Sequence, residues 1–154
     1  MFRLIGARIL VLLMVTPSLG QQPLVGTYKL ASLTVEVDGK PNQNLGKAPH
    51  GSLMITPTRF ILLITADSRK FGTSVEEKAV LFDSLVAYAG TYRVEGDKFI
   101  RANDVSWTEN LNGKTSVETF QLSGNRLTFT EGPVPWPKDP SKTLIRRQVF
   151  EKIE

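Results

Sequence analysis

From residue 24 onward, apolar side chains recur at every second position in short runs, and clusters of turn-forming residues separate the runs. That alternation is the mark of half-buried antiparallel strands, and its regular spacing points to a sandwich or a barrel. Residues 24–37 predict a long first strand whose alternation slips midway. Tyr28 and Leu30 share one face, whereas Leu33, Val35 and Val37 share the other. An extra residue near Ala31-Ser32 reconciles the halves, and such bulges are how sheets curl. Residues 52–56 and 59–66 flank Thr56-Pro57-Thr58, a tight hairpin turn. Glu95-Gly96-Asp97 joins 92–95 to 98–102, and Ser123-Gly124-Asn125 joins 115–122 to 126–130, both as Gly-containing hairpin loops. Residues 143–153 predict a last strand able to close on the first.

One stretch departs from this pattern. Ser74 and Glu77 have capping-box spacing, and Val75, Ala79, Phe82 and Val86 then follow a helical period until Gly90. The spacing predicts an amphipathic helix over about 75–87. Residues 60–64 just before it are apolar on both faces and need cover inside and outside. The helix is expected to supply the outer cover. The fold class expected is therefore all-β: an antiparallel barrel with one short packed α-helix.

Residues 1–20 have a different character. Arg3 and Arg8 precede a short apolar run at 9–15, Pro17 ends it, and Ser18 and Gly20 are small residues at a cleavage-like position. This is the layout of a secretory signal, and the run is too short to span a bilayer, which needs about 20 residues. A leader at 1–20 and one domain at 21–154 are expected, secreted or periplasmic, with no stable membrane span in the mature chain. With 41% apolar and 22% charged residues, the chain can build its own core without staples. It has no cysteine, which removes disulfides, thiol nucleophiles and thiolate metal sites. The net charge of +4 falls to +2 without Arg3 and Arg8, and the basic residues form only short pairs. No nucleic-acid partner is expected from that distribution.

The opening Gly26-Thr27-Tyr28-Lys29-Leu30 resembles the G-T-W-x-L start of lipocalin-like domains, with Tyr28 where Trp is usual. Gly51-Ser52-Leu53-Met54-Ile55-Thr56-Pro57, Glu76-Glu77-Lys78, Ala87-Tyr88-Ala89-Gly90-Thr91-Tyr92, Val105-Ser106-Trp107 and Leu122-Ser123-Gly124-Asn125-Arg126-Leu127 follow in the family's order. The chain from about residue 24 to its C-terminus is thus similar to the bacterial lipocalin-like domain family. The resemblance implies a calycin-type barrel around a lipophilic pocket, a shape that serves both carriers and small-molecule cyclases. It also implies an arginine of the last strand packed over the aromatic of the first. Arg147 is favoured for that contact with Tyr28, and Arg146 is the alternative. The chain departs from the family at Phe99-Ile100-Arg101-Ala102, where a basic or His-bearing stretch is usual, and at Glu118, where Arg is frequent.

An eight-stranded barrel leaves room for side chains or one small ligand. Strand parity and loop position select Tyr92, Arg101, Trp107, Glu118, Phe120, Phe129 and Trp136 as the residues facing a ligand. Phe99, Arg101, Val105 and Trp107 share one parity, and Glu118, Phe120 and Leu122 another. If both sets point inward, Arg101 and Glu118 meet in the lumen, where either alone would cost several kcal/mol of desolvation. They would then form a polar clamp or an acid–base pair, unless a bulge turns them to solvent. Residues 131–137 carry three prolines and are expected as a loop across one barrel end, with Trp136 a flap or an outer packing residue. His50 is the sole histidine and lacks metal-ligand spacing, so no metal and no cofactor are expected. Three functions remain open: an exported binder of a small hydrophobic ligand, a cyclase or isomerase using Glu118, Arg101 or a tyrosine hydroxyl, and an envelope interaction protein whose barrel is filled by its own side chains.

Overall fold

The computed structural model describes residues 24–136 and 139–154; the leader expected at 1–20 lies outside them. Strands β1 (Gly26–Val37), β2 (Lys40–Pro41), β3 (His50–Ile55) and β4 (Arg59–Thr65) precede helix α1 (Val75–Asp83). Strands β5 (Leu85–Glu95), β6 (Lys98–Ser106), β7 (Thr115–Ser123), β8 (Arg126–Trp136) and β9 (Asp139–Lys152) follow it. From β3 onward sequential neighbours pair antiparallel, β3 pairs antiparallel with β1, and β2 is a two-residue hairpin arm on the end of β1. Strand β9 pairs with β1 from Tyr28↔Lys152 to Val37↔Leu144, which closes an eight-stranded antiparallel barrel. Closure leaves no open sheet edge around the wall.

The alternation slip in β1 is a bulge. The register with β9 shifts between Leu30 and Ser32, so Tyr28 and Leu30 are buried before it, and Leu33 packs on the core after it. A second bulge was not visible in the sequence. Ala89 pairs with Val105 but Gly90 pairs with Asn103, so Asp104 is the extra residue. It turns Val105 outward, 60% exposed, which corrects the expectation that Val105 shares the inner face of Phe99 and Arg101. Gly90 permits this approach: a Cβ there would lie 1.9 Å from the Ala102 carbonyl oxygen.

Helix α1 begins as its sequence dictates. Ser74 Oγ accepts from the Glu77 N–H at 3.1 Å, and the Glu77 carboxylate accepts from the Ser74 N–H at 3.0 Å. It ends at Asp83, earlier than the helical period suggests. Leu85, Val86 and Ala87 instead open β5, paired with Thr65, Ile64 and Leu63. The same residues satisfy a strand period through Val86, Tyr88, Gly90 and Tyr92, and the ladder to β4 settles the competition. Nor does α1 cover the outside of β4. Ile61 and Leu63 stay 54% and 47% exposed, and no α1 residue is buried. The helix lies at the barrel mouth instead, where Phe82 joins the cavity wall. Residues 131–136, expected as loop, continue β8 along β9. Their register breaks between Glu131 and Val134, and Pro133 sits in that break, where no ladder N–H is needed.

The end of the barrel carrying the three hairpin turns is packed solid. Tyr92 stacks on Phe99 with ring centroids 4.7 Å apart, and Phe60, Phe129 and Phe150 extend the cluster edge to face. Each such buried ring contributes about 1.5–3 kcal/mol through area removed from water. Tyr28 is fully buried beneath them, and its hydroxyl donates to the Leu24 carbonyl at 2.8 Å. Arg147 is exposed on the outer face, so it makes no contact over Tyr28. Arg146 is the inward residue of that pair, and its partners are carboxylates.

Candidate functional site

Above the aromatic cluster the lumen widens into a cavity of about 340 Å3. It opens between the loop carrying Asn42, Asn44 and Leu45, the end of α1, the segment from Trp107 to Leu111, and Trp136 at the end of β8. The barrel is thus filled at one end and open at the other. The strands set the wall by parity: Leu33 and Val35 after the β1 bulge, Ile64 from β4, Val86 from β5, and Leu144 from β9. These walls are apolar. Tyr88, Arg146 and Gln148 bring polar atoms to the cavity from the side of the packed core.

Behind those three residues lies a buried charge network. Glu118 on β7, 2% exposed, pairs with Arg101 Nη2 on β6 at 3.0 Å and with Arg146 Nη2 on β9 at 3.2 Å. Arg146 also pairs with Glu131 on β8. Arg101 Nε donates to Ser116 Oγ at 2.8 Å, and its Nη1 donates to the Tyr88 hydroxyl oxygen at 2.7 Å. Two guanidinium groups and two carboxylates therefore balance one another, with Arg101 and Glu118 fully buried and Arg146 and Glu131 partly so, and such pairing is the condition under which buried charges persist. Burial raises the Tyr88 pKa, and the net effect keeps its hydroxyl protonated despite Arg101 and Arg146 nearby. Burial works against the Arg146 charge, but the Glu131 and Glu118 carboxylates more than offset it, and its pKa lies above the ordinary arginine value.

The residues singled out from the sequence divide by depth. Trp107 and Trp136 line the cavity. Arg101 and Glu118 do meet in the lumen, but they stand behind the cavity wall rather than on it. Tyr92 and Phe129 belong to the packed end, where the Tyr92 hydroxyl donates to the Thr56 carbonyl at 2.9 Å, and Phe120 is half-buried against the same core. Strand parity and loop position do not single out Tyr88, Arg146, Gln148 and Glu131 as facing a ligand. Their signal was present for Arg146 and Gln148, which share parity with buried Leu144 and Phe150. The bulge near Ser32 hid which parity of β9 faces inward at the mouth.

The mouth is also braced. Asp67 Oδ2 accepts from the Lys47 and Ala48 backbone N–H groups, each at 2.9 Å, and ties down the loop that carries Leu45. Those bonds, that of Ala48 first, hold the Asp67 carboxyl below the usual aspartate range. Lys142 Nζ sits 5.7 Å from the Trp136 ring centroid, a cation–π distance that steadies the indole at the rim. His50 is exposed at the start of β3. Among the described residues, no cluster of three or more His, Asp or Glu side chains could hold a metal ion. No described helix is long and apolar enough to cross a membrane.

A family model for a lipocalin-like domain matches residues 25–152. No curated protein matches the chain.

Proposed function

The chain belongs to the lipocalin-like domain family, and on that premise we propose that it binds one small, mostly apolar molecule in the open half of its barrel. The observation that carries this reading is the cavity itself: about 340 Å3, mostly apolar along the strands, with Tyr88, Arg146 and Gln148 at its inner end and polar residues such as Asn42, Asn44 and Asn110 at its mouth. That volume and lining fall in the range of small-molecule sites. The ligand enters between α1, the two tryptophans and the braced 42–48 loop, and its apolar body lies against Leu33, Val86 and Leu144. Binding is favoured over turnover because Glu118 and Arg101 engage each other and stand back from the cavity. The layout of residues 1–20 supports export, so that binding takes place outside the cytoplasm.

Native mass spectrometry of the protein purified from its own host tests the reading. One lipophile per chain, released by solvent extraction, is the expected result. A bare chain whose melting temperature no apolar compound shifts would contradict it.

A further inference from the structure

The charges around the lumen limit what a ligand can carry at its polar end. Arg101 and Arg146 are balanced by Glu118 and Glu131, so the buried network is neutral before any ligand arrives. On the cavity wall itself, the charged residues among those described are Arg146 and Asp83. A ligand carboxylate would therefore add a buried negative charge with no cation left to match it, at a cost of several kcal/mol for an unpaired ion.

Hydrogen-bond donors, by contrast, remain. The Tyr88 oxygen already accepts from Arg101, which leaves its O–H to donate and polarises it. Arg146 engages both carboxylates through Nη2 alone. Its Nε meets no acceptor among the described residues but is closed off from the cavity, so a ligand meets the other atoms of the side chain, which stays 21% exposed. A neutral acceptor meets these donors without disturbing the charge balance. The size class of the molecule follows from the volume: a cavity of about 340 Å3 lies at the small end of small-molecule sites.

We infer that the lumen takes a small apolar molecule bearing one uncharged acceptor, a ketone, ester or lactone carbonyl, and rejects the carboxylate of the same size. The carbonyl oxygen sits against Tyr88 and Arg146, and the hydrocarbon runs outward to Trp107 and Trp136. This inference rests on the lumen-binding reading above and goes further by fixing the chemistry of the polar end.

Three probes of equal heavy-atom count separate the possibilities: methyl octyl ketone, nonanoic acid and undecane. At neutral pH the ketone is expected to bind at least about tenfold more tightly than nonanoate, because the latter must bring a buried charge or take up a proton. Nonanoic acid should then gain about tenfold in apparent affinity for each pH unit of acidification down to its own pKa, since only the protonated form is taken. In Tyr88→Phe, ketone affinity should fall about three- to tenfold further than undecane affinity does, the worth of one hydrogen bond. Glu131→Gln leaves one guanidinium unmatched and should narrow the gap between nonanoate and ketone. Nonanoate binding as tightly as the ketone at neutral pH would overturn the inference, as would a Tyr88→Phe variant that loses ketone and undecane equally. Failure of all three probes to bind would overturn the lumen-binding reading itself, and this inference with it.

Discussion

Arg146 shows how one position along a strand decides between solvent and core. Its neighbour Arg147 has the same chemistry and the opposite outlook: exposed, paired in register with Thr34 on the outer wall. Arg146 reaches Glu118 and Glu131 across the lumen. Period-two patterning gives the alternation on β9 but not its phase, because the phase is inherited from β1 through a bulge whose site is known only approximately. Arg101 and Glu118 were easier to read, since each lies two residues from a phenylalanine that must be inside. Their pairing gives a stability expectation. Glu118→Gln leaves two guanidinium groups short of a buried counter-charge and should cost about 3–5 kcal/mol, measured as a lowered urea midpoint with an unchanged m-value. Unaltered stability would mean that the network is wetter than its burial indicates.

The elements tell a similar story of competing periods. The start of α1 was legible down to its capping box, because Ser74 and Glu77 act over three residues and need nothing from the rest of the fold. Its end was not, because 85–87 fit both a helix and a strand, and only the ladder to β4 chooses between them. The bulge at Gly90 was likewise invisible, since a glycine in a strand does not say which backbone approaches it. The structure shows that approach, and Gly90→Ala should force the Ala102 carbonyl away. A loss of about 1–3 kcal/mol is expected, typical of an overpacked site; a neutral substitution would show that the bulge relaxes freely. The loop from 42 to 48 depends on Asp67, whose pKa is lowered, first by the Ala48 N–H. A depressed folded-state pKa means that the latch is complete above the ordinary aspartate value, about 3.9, and is lost as pH falls through the lowered one. The Lys47 and Ala48 amide resonances should accordingly titrate together with a midpoint below the ordinary aspartate value. A midpoint at or above it would show that the latch does not form in solution.

The barrel as one body is a closed wall around two unlike halves. The aromatic half supplies the core, and the half beyond the charge network contributes less packing and leaves room for a ligand. Alternation predicted the wall and inner residues such as Phe99, Arg101 and Glu118, but no periodicity reports whether inner side chains meet across a lumen. That depends on the distance between opposite strands, a property of closure rather than of any segment. Filling the open half should therefore be tolerated. Val86→Phe points into the cavity and is expected to cost less than the about 1–3 kcal/mol of added bulk in a well-packed core, while ligand binding is lost. A variant that binds as before would place the ligand elsewhere.

The chain has two tryptophans, Trp107 and Trp136, and both line the cavity. Intrinsic fluorescence is thus a direct reporter of occupancy. Titration with bromodecane, whose bromine quenches indole on contact, should give a saturable loss of emission at one molecule per chain, abolished in Val86→Phe. Quenching that rises linearly without saturation, and equally in the variant, would contradict a ligand site inside this barrel.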